Sequence, residues 1–511
     1  MNSAAAQHEH HNRRWTILAF LGLAQLMVVL DATIVNIAMP SAQASLGFSN
    51  VDRQWLITAY SLAFGSLLFL GGRLSDLIGR KTTLQIGLLG FALASALGGA
   101  SQSFGMLVTA RAIQGAFGAI LAPAALALLT VTFTDTDERA KAFSIYGAIA
   151  GSGAAIGLLL GGFLTQYLNW RWTLYVNLIF AAVALIGTQA VLIRERGTDK
   201  SGLDVPSTLL VSGGLFAIVY GLSNAATSAT NAQSNGTSVT LASAFGNATT
   251  IGALVLGVAL VSAFVWRQYR IPKPMLPMSI VTDRARGGSF LSVLLAAAAM
   301  FGVFLFLTYY LQTVLGFSPV RAGLAFLPMV VMLTATAMVG SVQLLPRLGP
   351  RPLIPTGMAL GAVGMFLFTH IAVGGNYFTH VLPGLLVMGM AMGLVFSCAM
   401  NTATARVQPD HAGSASALVN VTQQVGGSIG TALLNTVAIS AALTFSQDHA
   451  PTAPVSKQQA TNLMLQAQVH GYTSAFWWGA AFFVIGAIAT VIMLPSGKPE
   501  VAEVEHAMAL V

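Results

Sequence analysis

Apolar runs of about 20 residues recur along the whole chain, separated by short polar breaks, and each is long enough to cross a bilayer as a helix. They fall at about 15–38, 51–71, 83–102, 106–131, 141–165, 172–193, 205–224, 249–267, 288–311, 323–345, 353–373, 380–404, 414–444 and 473–494, which predicts about fourteen transmembrane helices. The breaks group them. A charged stretch from Arg194 to Lys200 follows the sixth span, and a second basic stretch from Arg267 to Arg286, with Pro272, Pro274 and Pro277, follows the eighth. The expected plan is a tail over 1–14, six helices within 15–200, two linker helices within 201–286, six more within 287–495, and a tail over 496–511. Two six-helix halves are what parallel repeats look like in many secondary transporters. Residues 225–248 between the linker helices are polar and uncharged, as suits a loosely ordered external loop.

Composition agrees with this pattern. Of the 511 residues 55% are hydrophobic and 8% charged, and the mean hydropathy is +0.74. A soluble domain carries roughly 25% charged residues, so a large water-facing surface is excluded. The net charge of +8 needs no nucleic acid to explain it, because Lys and Arg gather in cytoplasmic loops. Placing both termini in the cytoplasm of a cell (plasma) membrane protein leaves only Arg53, Arg171, Arg321 and Lys457 outside and Arg111 within a helix; every other basic residue is then inside. The single cysteine, Cys398, excludes intrachain disulfides and paired-cysteine metal or redox motifs. No secretory signal is expected, since Arg13 and Arg14 precede a segment too long for one. The run His8-Glu9-His10-His11 reads as a mobile polar tail rather than a metal site. Metal-ligand clusters, nucleophile elbows and phosphate loops are not found, so enzyme chemistry is not expected.

Candidate chemistry is sparse and therefore conspicuous. Asp31, in Leu30-Asp31-Ala32-Thr33-Ile34-Val35-Asn36-Ile37-Ala38-Met39-Pro40, is the one acidic residue in the interior of a predicted span, Asp52 standing at the very edge of the second. A carboxylate there costs roughly 2.5–3.5 kcal/mol on insertion scales, so it is kept where it works or is paired. Arg111, in Arg111-Ala112-Ile113-Gln114-Gly115, lies inside the fourth span. An arginine stays charged and needs a carboxylate, carbonyls or water, which makes it the expected counter-charge. Between spans two and three, Gly71-Gly72-Arg73-Leu74-Ser75-Asp76-Leu77-Ile78-Gly79-Arg80-Lys81 combines turn-forming glycines with charges whose contacts can form and break. Small residues at spacing four, including Gly153, Gly157, Gly161 and Gly162, run through the fifth span and permit close helix packing. Polar and adaptable residues inside the spans supply substrate-cavity candidates: Asn36, Gln114, Asn177, Phe304, Tyr309, Gln312, Met392, Asn401, Gln423 and Gln424.

These motifs, in this order, resemble the major facilitator superfamily and, within it, the fourteen-helix drug:proton antiporters. Gly72, Leu74, Asp76, Gly79, Arg80 and Lys81 match the superfamily's signature between helices two and three, although Leu77 replaces its usual basic residue. Arg111 to Gly115 is similar to the helix-four motif, in which the arginine is implicated in proton transfer. The glycines of the fifth span are similar to the antiporter motif, with Leu158 at its proline position. The first-helix stretch around Asp31, Trp170-Arg171-Trp172 with Asn177, and Gln423 to Gly430 resemble the drug:proton family.

The resemblance implies an all-α major facilitator fold with two inserted helices and alternating access. It also implies proton-driven export of amphipathic or aromatic drugs or toxic metabolites, with Asp31 and Arg111 coupling the proton and Gly72 to Lys81 acting as a conformational switch. No cofactor is expected beyond the proton gradient as energy source. The expected partners are a hydrophobic or cationic small molecule, protons and the lipid bilayer, and the chain is expected to be a monomer. Rival readings are a proton-coupled carrier of another cargo, such as a metal–tetracycline complex, siderophore or metabolite, and a transporter-like receptor.

Overall fold

The structure is a computed structural model that describes residues 3–133, 135–192, 204–234, 244–272, 274–404, 409–450 and 456–495. Among these residues the regular elements are all helical. In hydrocarbon each backbone N–H and C=O must be satisfied within its own segment, and a helix does this for an apolar run.

The long helices are α1 (Ser3–Leu46), α2 (Trp55–Ile78), α3 (Arg80–Gly99), α4 (Phe104–Thr132), α5 (Thr136–Tyr167), α6 (Trp172–Val191) and α7 (Val205–Ser234). They continue with α8 (Ala248–Arg270), α9 (Arg284–Tyr309), α10 (Pro319–Met338), α11 (Pro350–Phe368), α12 (Leu382–Thr404), α13 (Pro409–Asp448) and α14 (Lys457–Met493). Twelve contain a segment long and apolar enough to cross a membrane; in α2 and α5 the described apolar stretches are the shorter Trp55–Leu68 and Ala155–Tyr167. Polar residues start several of them. Ser103, Asn247, Asp283 and Ser318 each accept a backbone N–H of the following helix, and Ser456 with Gln459 forms a reciprocal capping box at α14.

Helix ends differ from the apolar runs in a consistent way. α1 continues through Pro40 to Leu46, α7 runs on to Ser234 into the expected loop, and α14 begins at Lys457, well before the expected 473. Hydropathy marks where a chain crosses hydrocarbon, whereas a helix continues into the interface until a breaker or cap stops it. For the same reason Gly71 and Gly72 are not turn residues. α2 reaches Ile78, and Gly79 alone, at φ 92°, turns the chain into α3. A Cβ on Gly71 would lie 2.1 Å from the Ala119 carbonyl oxygen, so this glycine serves the α2–α4 contact.

Helices α1–α6 pack among themselves, chiefly α1 on α5 and α6, α2 on α4, and α3 on α4 and α6. Helices α9–α14 form a second set, with α9 on α13 and α14, α10 on α12, and α11 on α12 and α14. The sets meet along two seams, α2 against α13 and α5 against α10. Helix α7 pairs with α8 and also lies against both α2 and α13. Leu215, Val219 and Leu222 of α7 bury against Leu62, Val425 and Ala432. Gln54 donates to Ser223 at 2.6 Å and Thr436 to the Leu222 carbonyl at 2.8 Å. Covering the α2–α13 seam gives the inserted hairpin a structural place.

The core shows how the sets are joined. At the end of the bundle holding the α1–α2 loop, buried residues of both sets form one cluster, with Ile34 and Ile37 of α1 alongside Phe304, Leu307 and Phe326. At the other end the buried residues form separate clusters, one around Leu18, Phe91 and Leu129, the other around Phe290, Leu345 and Ile354.

Candidate functional site

Asp31 and Arg111 meet in the middle of the first set. Asp31 is fully buried and Arg111 is 2% exposed. One guanidinium Nη1 donates to Asp31 Oδ2 at 2.6 Å and to Gln114 Oε1 at 2.9 Å, while Nε donates to the Leu56 carbonyl at 3.1 Å. Spacing explains part of this: Arg111 and Gln114 are three apart on α4 and share a face. The other carboxylate oxygen, Oδ1, accepts from Gln114 Nε2 at 3.1 Å and from Asn177 Nδ2 at 2.7 Å. Helices α1, α4 and α6 thus each supply a member.

Two further participants carry no sequence signal strong enough to single them out. Ser95 of α3 accepts from Gln114 at 2.7 Å and from Asn177 at 3.4 Å, which fixes both amides. The Tyr60 ring of α2 lies 4.4 Å from the Arg111 guanidinium carbon, a cation–π contact. A hydroxyl in an apolar helix usually bonds its own backbone, as Ser95 also does to Phe91, so its second role emerges only when α3, α4 and α6 are assembled. A small apolar pocket lined by Val35, Met39, Leu56, Leu107, Trp170 and Leu174 adjoins Arg111 and Thr173.

Desolvating two charges costs several kcal/mol each, and only good geometry with full hydrogen bonding compensates. Here both carboxylate oxygens accept hydrogen bonds, and Nε and Nη1 of the guanidinium both donate. A proton added to Asp31 would cancel the attraction while leaving Arg111 its Leu56, Gln114 and Tyr60 contacts.

The glycines of α5 flank the other side of α1. Cβ atoms on Gly157 and Gly161 would lie 3.0 Å from the Leu30 carbonyl and 2.9 Å from the Ile34 carbonyl, and one on Gly153 would meet Val29 at 3.1 Å. Gly162 instead faces the second set, where a Cβ would stand 2.7 Å from the Pro319 carbonyl oxygen. Gly162→Val is therefore expected to disfavour this α5–α10 contact. A cysteine placed at Gln312 should then react faster with a water-soluble maleimide than in the parent, and an unchanged rate would show that the contact does not hold this conformation.

The remaining candidates are dispersed. Tyr309 donates to Gln43 of α1, and Gln312 Nε2 donates to the Ile37 carbonyl at 2.9 Å, so both bridge the two sets at the α1–α2 end. Asn36 bonds the Ala32 carbonyl at 3.2 Å and is nearly buried. Phe304 packs on Phe326 at 5.4 Å, and Met392 is fully buried within the second set. Asn401 is exposed and donates to Ser341 at 3.2 Å. Gln423 and Gln424 are half-buried on α13, with Gln424 against Gly65 of α2. In the α2–α3 connection Lys81 donates to the Gln189 carbonyl at 3.1 Å and the Leu192 carbonyl at 2.5 Å, capping the end of α6. Arg80 begins α3, and Gly72 lies near Pro123 of α4. The Asp76 side chain lies outside the described residues.

Comparison with known proteins gives a consistent result. The model of the Major Facilitator Superfamily matches residues 21–431. A puromycin resistance protein of Streptomyces alboniger is 46% identical over 97% of this chain and 94% of its own length. The cephamycin export protein of Amycolatopsis lactamdurans is 34% identical, covering 83% of this chain and 84% of its own. The multidrug efflux pump LfrA of Mycolicibacterium smegmatis is 31% identical, covering 83% and 81%. A crystal structure of a bacterial homologue of the human lysosomal transporter Spinster shares the fold, with a TM-score of 0.64 at 15% identity over 94% of this chain and 96% of that one.

Proposed function

We propose that this chain, which belongs to the major facilitator superfamily and is accordingly a membrane transporter rather than an enzyme, exports amphipathic drugs or toxic metabolites in exchange for protons. The buried Asp31–Arg111 pair carries the reading: a single titratable group, fully desolvated and held by a cation, is the simplest proton-operated switch a membrane protein can contain. Relatives named for puromycin resistance, cephamycin export and multidrug efflux support a drug-like cargo over a metal complex, a siderophore or a receptor role.

In the orientation that the basic residues favour, both termini are cytoplasmic and the α1–α2 loop is outside the cell membrane. The joined core then closes the outer end, and the chain is held in a conformation ready to receive cargo from within. Export follows when a proton from outside reaches Asp31 after the halves have rocked to open that end, the first half moving against the second about the α2–α13 and α5–α10 seams. The reading includes a monomer working in the lipid bilayer, no cofactor other than the proton gradient, and no nucleic-acid partner.

Expression in an efflux-deficient bacterium tests this. Resistance to amphipathic amines and dyes should rise above the empty-vector control, and a protonophore should remove the gain. Resistance that survives the protonophore would rule out proton coupling.

A further inference from the structure

At the α1–α2 end a second buried arginine crosses between the halves. Arg53 is 3% exposed, and among the described residues no carboxylate forms an ion pair with it. Its guanidinium carbon lies 4.4 Å from the ring centre of Tyr309, 5.7 Å from Tyr472 and 5.8 Å from Phe306. Its Nε donates to the neutral Asn435 Oδ1 at 3.3 Å, and the guanidinium also has a side-chain hydrogen bond with Tyr309. All three rings are buried, and the Phe306 and Tyr472 rings stack on each other at 5.5 Å. Arg53 belongs to the first half and the three rings with Asn435 belong to the second, so the cage receives its cation from across the seam.

Such a cage has the composition that recognises organic cations: three buried aromatic rings within 6 Å of the charge and a neutral acceptor. When the outer end opens, α2 must leave α13 and carry Arg53 away, which empties a preformed cation site at the mouth of the exit path. We propose that the Phe306–Tyr309–Tyr472 cage is an exit subsite for organic-cation cargo, occupied by Arg53 as an intramolecular competitor whenever the outer end is shut. The competition gives the site a function in release: closure returns Arg53 to the rings and expels whatever cation remained. This rests on the export direction inferred above.

Binding of tetraphenylphosphonium to the purified full-length protein in nanodiscs, without any gradient, tests the proposal. Removing the competitor in Arg53→Ala should tighten binding about tenfold, the size expected of a desolvated cation–π site, and Arg53→Lys should not. Triphenylphosphine oxide, neutral and of similar shape, should show no gain. In the Arg53→Ala background Tyr309→Leu or Phe306→Leu should erase the gain, while Tyr309→Phe, which keeps the ring, should preserve it. Should Arg53→Ala not remain monodisperse, Arg53→Gln retains a polar group for Asn435 and serves in its place. Unchanged or weaker tetraphenylphosphonium binding overturns the proposal, as does an equal gain for the neutral probe or a gain indifferent to the rings. Wild-type proteoliposomes lacking proton-driven efflux would overturn the proposed function instead, leaving the binding result to be judged separately.

Discussion

Asp31→Asn is expected to abolish pH-driven transport while leaving counterflow of labelled substrate intact. Asparagine keeps the size of the side chain and an oxygen for the Gln114 and Asn177 amides, which now donate at 3.1 and 2.7 Å. It cannot take up or release a proton, so substrate exchange persists and coupling is lost. Removing one member of a buried pair typically costs about 3–5 kcal/mol. The loss here should be nearer 1–3 kcal/mol, because Arg111 keeps Leu56, Gln114 and Tyr60 as partners. Proton flux recorded with an internal pH dye during drug addition to proteoliposomes reads the effect. Flux equal to wild type would remove Asp31 as the carrier.

Arg111→Ala is expected to be the more damaging change to the fold. It leaves the Asp31 carboxylate fully buried with only amide donors, strands the Leu56 carbonyl and opens a void beneath Tyr60. Loss of a buried cation from such a pair costs about 3–5 kcal/mol, visible as a fall in the thermal unfolding temperature in detergent. Adding Asp31→Asn to Arg111→Ala should recover part of that loss, since the stranded charge is then gone. If the double variant is no more stable than Arg111→Ala, the cost lies in packing rather than charge. Arg111→Lys separates the roles differently. It retains the charge but not the planar fork that reaches Leu56, Asp31 and Gln114 together, so folding should survive and coupling should fail. Wild-type transport in that variant would count against the guanidinium geometry.

The spans, the family and the ion pair were legible along the chain because each is a local or categorical property. Hydrocarbon tolerates only long apolar runs, and it leaves so few charges that Asp31 and Arg111 find each other by elimination. Other members of the site had no such signature. Ser95 and Tyr60 belong to residue types common in membrane helices, and only the packing of α2, α3, α4 and α6 brings them to the pair. Tyr309 and Gln312 read as cavity residues from their polarity. The structure places them on the joint between halves, because a polar group in an apolar helix can serve a partner helix as well as a cargo.

Arg53 shows the division most sharply. Along the chain it is one basic residue beside the break between the first two spans, with no property to separate it from Arg171 or Arg321. In the fold it is a buried cation enclosed by rings from residues 306, 309 and 472, more than two hundred positions away. Hydropathy and charge decide which segments enter the membrane and which lone charges must be neutralised there, since solvation acts on each residue separately. Which face of a helix meets which neighbour depends on the simultaneous packing of all the helices, and that assembly alone decided which neutral groups surround the Asp31–Arg111 pair and that Arg53 lies among aromatic rings.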